Sequence, residues 1–226
     1  MNLLDLVFPK TCLGCRREGN YICSNCVAKV RLAKPICPNC ERPSIDGATH
    51  IRCQKKLGLD GLISIWEYEG VVRKAILALK YKYATDIASL LNCFVVEQLR
   101  SLNSRFMIPD SGLLVPIPLH WHRQNVRGFN QSVEVGKSIA EAMDWKFTPD
   151  LLIKKQPTIS QAELKGDERR QNLKGVFEVS PSIVVSQYPS ILLFDDVFTT
   201  GSTLKEAAKV LKRAGVEKVW GLTIAR

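Results

Sequence analysis

Residues 191–204, ILLFDDVFTTGSTL, constrain the architecture of this chain more than any other stretch. Ile191 to Phe194 is an apolar run of the kind that forms a strand buried on both faces. Asp195 and Asp196 follow it, then Thr199, Thr200, Gly201, Ser202 and Thr203. Leu204, Ala207, Ala208 and Leu211 recur at helical spacing, and Gly215 stands where such a helix stops. Val216 to Ile224 reads as the next strand. The whole is a strand–loop–helix–strand unit, from which parallel sheets are built.

The loop chemistry suits a phosphate. A helix N-terminus offers unbonded N–H groups and the positive end of the dipole. Gly201 allows close approach of the backbone. The hydroxyls of Thr199, Thr200, Ser202 and Thr203 add donors. Two carboxylates repel an anion, so Asp195 and Asp196 suit an adjacent diol or a Mg²⁺ ion that accompanies a phosphorylated ligand. A phosphate beside a diol describes a ribose 5-phosphate. The segment contains no GxxxxGK and is not a Walker A loop.

Seven of the eight cysteines lie between Cys12 and Cys53. They run as Cys12/Cys15, Cys23/Cys26 and Cys37/Cys40, each pair with two residues between its members. His50 and Cys53 close the series with the same spacing. Such pairs point two ligands at one ion, and Gly14 and Pro38 help form the turns. Eight ligands make two tetrahedral, closed zinc sites, whose role is structural. Consecutive pairing puts Cys12, Cys15, Cys23 and Cys26 on one ion and Cys37, Cys40, His50 and Cys53 on the other. Interleaved pairing stays open at this stage, as does a single site. A segment this small has little core, and the metal supplies its folding energy. Cys93 falls in an apolar helical pattern and is expected to be a buried thiol.

At 226 residues the chain holds one moderate core and a small appendage. The zinc segment is expected over 1–60 and an α/β domain over 61–226. No apolar run approaches the roughly 20 residues of a membrane span, and MNLLDLVFPK is too short and too interrupted for a secretory signal. A cytoplasmic protein without membrane insertion is expected. The net charge is +10, which allows an anionic partner such as single-stranded nucleic acid. The run Lys80-Tyr81-Lys82-Tyr83 mixes charge and aromatics as single-strand binders do, though a solvated helix end explains it as well.

Between these landmarks, Leu62 to Tyr68 alternates as a strand. Val71 to Tyr81 and Ala84 to Arg100 read as helices, and Leu113 to Ile117 as a second apolar strand. A donor-rich loop follows with His120, His122, Arg123, Arg127, Asn130 and Gln131. A loop at a strand C-terminus sits at the ligand edge of an open α/β sheet, and arginine forks match diphosphate oxygens. Gln131 to Met143 is a helix. Trp145 to Ile153 holds a short strand, and Val176 to Val179 another. The polar stretch Lys154 to Gly175 is either a lid over the site or a solvated surface helix.

The segment from Ile191 resembles the phosphoribosyl-diphosphate (PRPP) loop of type I phosphoribosyltransferases: strand, two acids, two residues, then Thr-Thr-Gly-x-Thr. That likeness implies an open, mostly parallel α/β sheet with flanking helices. It implies a 5-phosphate at Thr199 to Thr203, ribose hydroxyls at Asp195 and Asp196, and the diphosphate near Arg123 and Arg127. Together with Arg127-Gly-Phe-Asn-Gln131, the cysteine pairs, Gln161, Leu164, Arg169 and Asn172 to Phe177, the chain resembles the ComF family over nearly its whole length. His50 departs from a uniform cysteine series. The family resemblance implies a phosphoribosyltransferase-like domain with an N-terminal zinc-ribbon domain, zinc and Mg²⁺, and work in DNA uptake during natural transformation beside a helicase-like ATPase. A homodimer is common among type I phosphoribosyltransferases. Two function classes follow: a pentosyl transferase with an unnamed acceptor and no assigned catalytic base, or a single-stranded DNA module with a regulatory phosphoribosyl site.

Overall fold

A computed structural model of the chain describes residues 9–79, 84–103, 113–119, 130–155 and 175–226. The Lys80 to Tyr83 run, His120, His122, Arg123, Arg127 and residues 156–174 of the polar stretch lie outside the described residues. In chain order the elements are a helical turn α1 (Ser24–Val27), β1 (Gly61–Trp66), α2 (Gly70–Ala78), α3 (Ala84–Asn103) and β2 (Leu113–Pro116). They continue with α4 (Gln131–Met143), β3 (Lys146–Phe147), β4 (Leu152–Lys154) and β5 (Phe177–Val179). The last three are β6 (Ser190–Val197), α5 (Ser202–Arg213) and β7 (Lys218–Ala225). Among the described residues no helix is long and apolar enough to cross a membrane.

Five strands form one sheet in the order β1-β7-β6-β2-β3, with every neighbouring pair parallel. The α/β class and parallel sheet expected from the sequence are therefore present. The apolar run of β6 is continuous because both sheet faces are covered. Leu192 and Phe194 join a core with α2, α3 and α4. Ile191 and Leu193 join a second core with Leu204, Ala207, Ala208 and Leu211 of α5.

The short strand expected in Trp145 to Ile153 is two strands. Pro149 and Asp150 break the run, as turn residues do. β3 pairs with β2, while β4 pairs antiparallel with β5 in a separate hairpin. Cys93 corrects an expectation: it is exposed. Its neighbours Ile87, Leu91, Val95 and Leu99 form the buried stripe of α3, and a residue two positions from Leu91 points about 200° away from it.

The N-terminal segment is strapped to the β1 edge. The Ala33 amide donates to the Ile65 carbonyl, and the Glu67 amide to the Arg31 carbonyl, each at 2.9 Å. Arg31 reaches Glu67 at 2.9 Å and Glu69 at 2.7 Å. Ile22 enters the first core and Ile36 the second.

Candidate functional site

The sheet order places a crevice between β2 and β6. The chain steps from β2 to β3 toward one edge and from β6 to β7 toward the other. The intervening helices α4 and α5 accordingly cover opposite faces. The C-terminal ends of β2 and β6 thus flank the point where the strand order switches, the usual ligand position of such sheets. Both sequence-predicted loops start here. The strands that launch them are neighbours: Pro116 is in register with Phe194, and the Ile117 amide donates to the Phe194 carbonyl at 2.8 Å.

On the β6 side, Phe198 turns into the core, and its amide donates to the Ala225 carbonyl at 2.9 Å. Gly201 then adopts φ +67°. A Cβ at Gly201 would lie 2.3 Å from Phe198 Cε2, so both conformation and space require glycine there. Thr200 and Ser202 hydroxyls are 2.7 Å apart. The Lys205 ammonium donates to the Thr200 carbonyl at 2.9 Å and lies 5.6 Å from the centre of the Phe198 ring. Behind this braced loop, the first turn of α5 presents amides with no intrahelical acceptor. Thr199 is exposed, and Thr200, Ser202 and Thr203 are half-buried. The five predicted loop residues are thus brought together at one helix start.

Among the described residues the acid pair makes no ion pair with a cation. Burial and the Asp196 carboxylate push the Asp195 carboxyl well above the usual carboxylate range. The Asp196 amide, which donates to Asp195 Oδ1 at 2.9 Å, and the Lys154 ammonium oppose the rise. A cation or hydroxyl donors would relieve it, and carboxylate oxygens fit a hard cation such as Mg²⁺. Strand alternation separates the two acids: Asp195 follows Ile191 and Leu193, while Asp196 follows Leu192 and Phe194. Lys154 is the residue that sequence reasoning missed. The sequence places it in the polar stretch, and no local signal shows that it ends a strand or that its charge bears on Asp195.

On the β2 side, Arg123 and Arg127 lie outside the described residues, but both ends of their loop are defined. Asn130 caps α4 by accepting from the Ser132 amide at 3.0 Å, and its Nδ2 donates to the Ile117 carbonyl at 3.2 Å. Gln131 Nε2 donates to the Leu79 carbonyl at 3.3 Å. Asn130 and Gln131, counted in the sequence among the loop's donors, hold the scaffold instead.

The cysteine pairs converge as consecutive pairing requires. Ligand atoms of Cys12, Cys15, Cys23 and Cys26 all lie within 4.8 Å of one another, and so do those of Cys37, Cys40, His50 and Cys53. Cys15 and Cys23 sulfurs are 3.6 Å apart, and Cys40 Sγ is 3.4 Å from His50 Nδ1. Zinc–ligand bonds of usual length at tetrahedral angles separate two sulfurs by about 3.8 Å. His50 Nε2 donates to the Pro43 carbonyl at 3.0 Å, which leaves the Nδ1 lone pair facing the cluster, the orientation a metal-binding imidazole takes. At the first cluster, burial raises the Cys12 thiol, but the amides of Cys15, Cys23 and Gly14 and the Cys26 thiol outweigh it, leaving about 6. Cys26 is pushed up to about 12 by desolvation and by its thiol neighbours. A dication would ionise the whole set. The donor sets, spacing and tautomer fit structural zinc at both positions. A Cβ at Gly14 would lie 2.6 Å from Cys26 Sγ, so glycine admits this packing.

The double zinc ribbon domain family matches residues 3–55. Competence protein F of Haemophilus influenzae is 30% identical over 232 residues, which cover 96% of this chain and 98% of that protein. DNA utilization protein YhgH of Escherichia coli is 30% identical over 229 residues, again 96% and 98% of the two chains. Among solved structures, adenine phosphoribosyltransferase of Leishmania tarentolae aligns with a TM-score of 0.34 at 15% identity, covering 61% of this chain and 70% of that one.

Proposed function

The chain belongs to the ComF family, which includes Competence protein F and DNA utilization protein YhgH, and from that premise we propose that it binds PRPP or a related phosphoribosyl ligand in the service of DNA uptake. The observation that carries the reading is the convergence of the acid pair and the Thr199–Thr203 loop at the crevice between β2 and β6. In this reading the first amides of α5 and the hydroxyls of Thr199 to Thr203 take the 5-phosphate. Asp195 and Asp196 take the ribose hydroxyls. Arg123 and Arg127 neutralise the diphosphate. Mg²⁺ supplies positive charge to the diphosphate when bound, and the acid pair is where the chain would hold it. If transfer follows, an acceptor bonds to C1 of the ribose as the C1–O bond to diphosphate breaks. The protein's part is positioning and charge stabilisation.

Residues 1–60 form, in the same proposal, a zinc-braced domain on the 61–226 domain. A second reading, nucleic-acid handling in the cytoplasm, is supported by the net charge of +10 and by Lys55 and Lys56, which line a cleft of about 260 Å³ where Lys212 is already paired with Asp60 at 2.7 Å. Its affinity for single-stranded DNA would fall steeply with salt.

The test of the phosphoribosyl reading is PRPP binding by a variant with Asp195→Asn and Asp196→Asn. The reading predicts affinity lowered by at least about tenfold, the loss of one charge-assisted hydrogen bond or more. Unchanged affinity would refute the role given to the acids.

A further inference from the structure

The phosphoribosyl reading leaves two residues around the β6–α5 loop without a task, Phe198 and Lys205. Phe198 is buried, and Gly201 lies against its ring more closely than a Cβ would permit. Lys205 follows Gly201 by one helical turn, and its amide donates to the Gly201 carbonyl at 2.9 Å. Helical side chains lean toward the helix N-terminus, so the Lys205 side chain returns over the loop. Its ammonium lies 5.6 Å from the centre of the Phe198 ring and donates to the Thr200 carbonyl at 2.9 Å. Its Cε would lie 3.2 Å from a Cβ at Gly201.

The Thr200 carbonyl belongs to the same peptide as the Gly201 amide. That peptide is trans, and in a planar trans peptide C=O and N–H point opposite ways. Lys205 therefore draws the carbonyl to its own side and turns the Gly201 N–H to the other. Gly201 is buried, and among the described residues its amide has no acceptor. A buried amide costs free energy until it is paired. The hydroxyls beside it are engaged with each other, Thr200 with Ser202 at 2.7 Å. Glycine tolerates either sign of φ, so this peptide is the one in the loop most easily turned over. Turned over, it would aim a carbonyl oxygen where the N–H now points and would repel an anion.

We propose that Lys205 is a positioning residue of the phosphate loop: it holds the Thr200 carbonyl back so that the Gly201 N–H donates to the 5-phosphate. The proposal rests on the phosphoribosyl reading above. Lys205 acts through the peptide and does not itself touch the phosphate. The Phe198 ring supports the ammonium from the core side.

The experiment is titration of the full-length, zinc-loaded protein with ribose 5-phosphate, and separately with PRPP and Mg²⁺. Calorimetry gives the affinity and nuclear magnetic resonance follows the Gly201 amide. The sequence has a single Thr–Gly step, Thr200–Gly201, so carbonyl-labelled threonine with nitrogen-labelled glycine isolates that one signal. In wild type the Gly201 proton moves downfield as ligand saturates. Lys205→Met is expected to weaken both ligands about tenfold, the worth of a charge-assisted hydrogen bond, and to lose most of the Gly201 shift even at saturation. Lys205→Arg restores both. Lys209→Met, one turn further along α5 and paired with Glu206 in wild type, changes neither. Wild-type affinity in Lys205→Met, or an equal loss in Lys209→Met, would overturn the proposal. So would weaker binding with a full Gly201 shift at saturation, which would make Lys205 a direct phosphate contact. A wild-type protein that binds neither ligand would overturn the underlying reading, a result recognisable before any variant is made.

Discussion

Asn130 donates its side-chain amide to the Ile117 carbonyl at 3.2 Å and thereby pins together the two ends of the loop that carries Arg123 and Arg127. The same side chain caps α4 through the Ser132 amide. One buried residue therefore sets the start of a helix and the mouth of the crevice.

Asn130→Ala removes both bonds. The lost cap costs about 0.5–2 kcal/mol, and an unmatched buried carbonyl about 1–3 kcal/mol. For a chain of this size each kcal/mol lowers Tm by about 2–4 °C. Asn130→Asp keeps the cap acceptor but not the donor and should fall between wild type and alanine. Thermal unfolding of the three proteins orders them.

The acid pair makes the opposite prediction for stability. Asp195 has a folded pKa raised above its unfolded value near 3.9. The folded state then binds the proton more tightly than the unfolded state. Its contribution is most favourable below the unfolded pKa and is lost as pH rises through the folded pKa. Asp195→Asn removes that loss, so the variant should melt higher than wild type at pH 7 and show a smaller difference at pH 4. It should nevertheless bind PRPP less well. Melting curves across this range check the sign, and a lower Tm at pH 7 would contradict it.

Gly14 and the first zinc site are coupled through space. Gly14→Ala sets a methyl group 2.6 Å from Cys26 Sγ, which must displace a ligand. Zinc content by native mass spectrometry should fall from two ions to one, with the Cys37, Cys40, His50 and Cys53 site retained. His50→Cys should keep both ions, because its sulfur replaces Nδ1 as a donor. His50→Ala should weaken the second ion alone.

Much of this was legible in the sequence. The run Ile191 to Leu211 specifies strand, loop and helix because each part carries its own period and its own stop. The metal pairs were legible because chelation imposes a fixed two-residue spacing, although consecutive pairing emerged only when the eight ligands were placed in space. What could not be read was long-range. The strand order that opens the crevice depends on which helix covers which face. Asn130 and Gln131 look like loop donors until Ile117 and Leu79 are seen as their partners. The charge of Lys154 bears on Asp195 only because β4 pairs with β5, which is tied to α5, and Cys93 shows that an apolar helix pattern does not by itself fix the phase of the buried stripe.

The most direct measurement of the central claim is calorimetric titration of the wild-type, zinc-loaded protein with PRPP and Mg²⁺, with ribose 5-phosphate as comparison. The account predicts saturable binding at one site per chain, tighter for PRPP because the diphosphate adds contacts to Arg123 and Arg127. Absence of saturable binding for both ligands would contradict it.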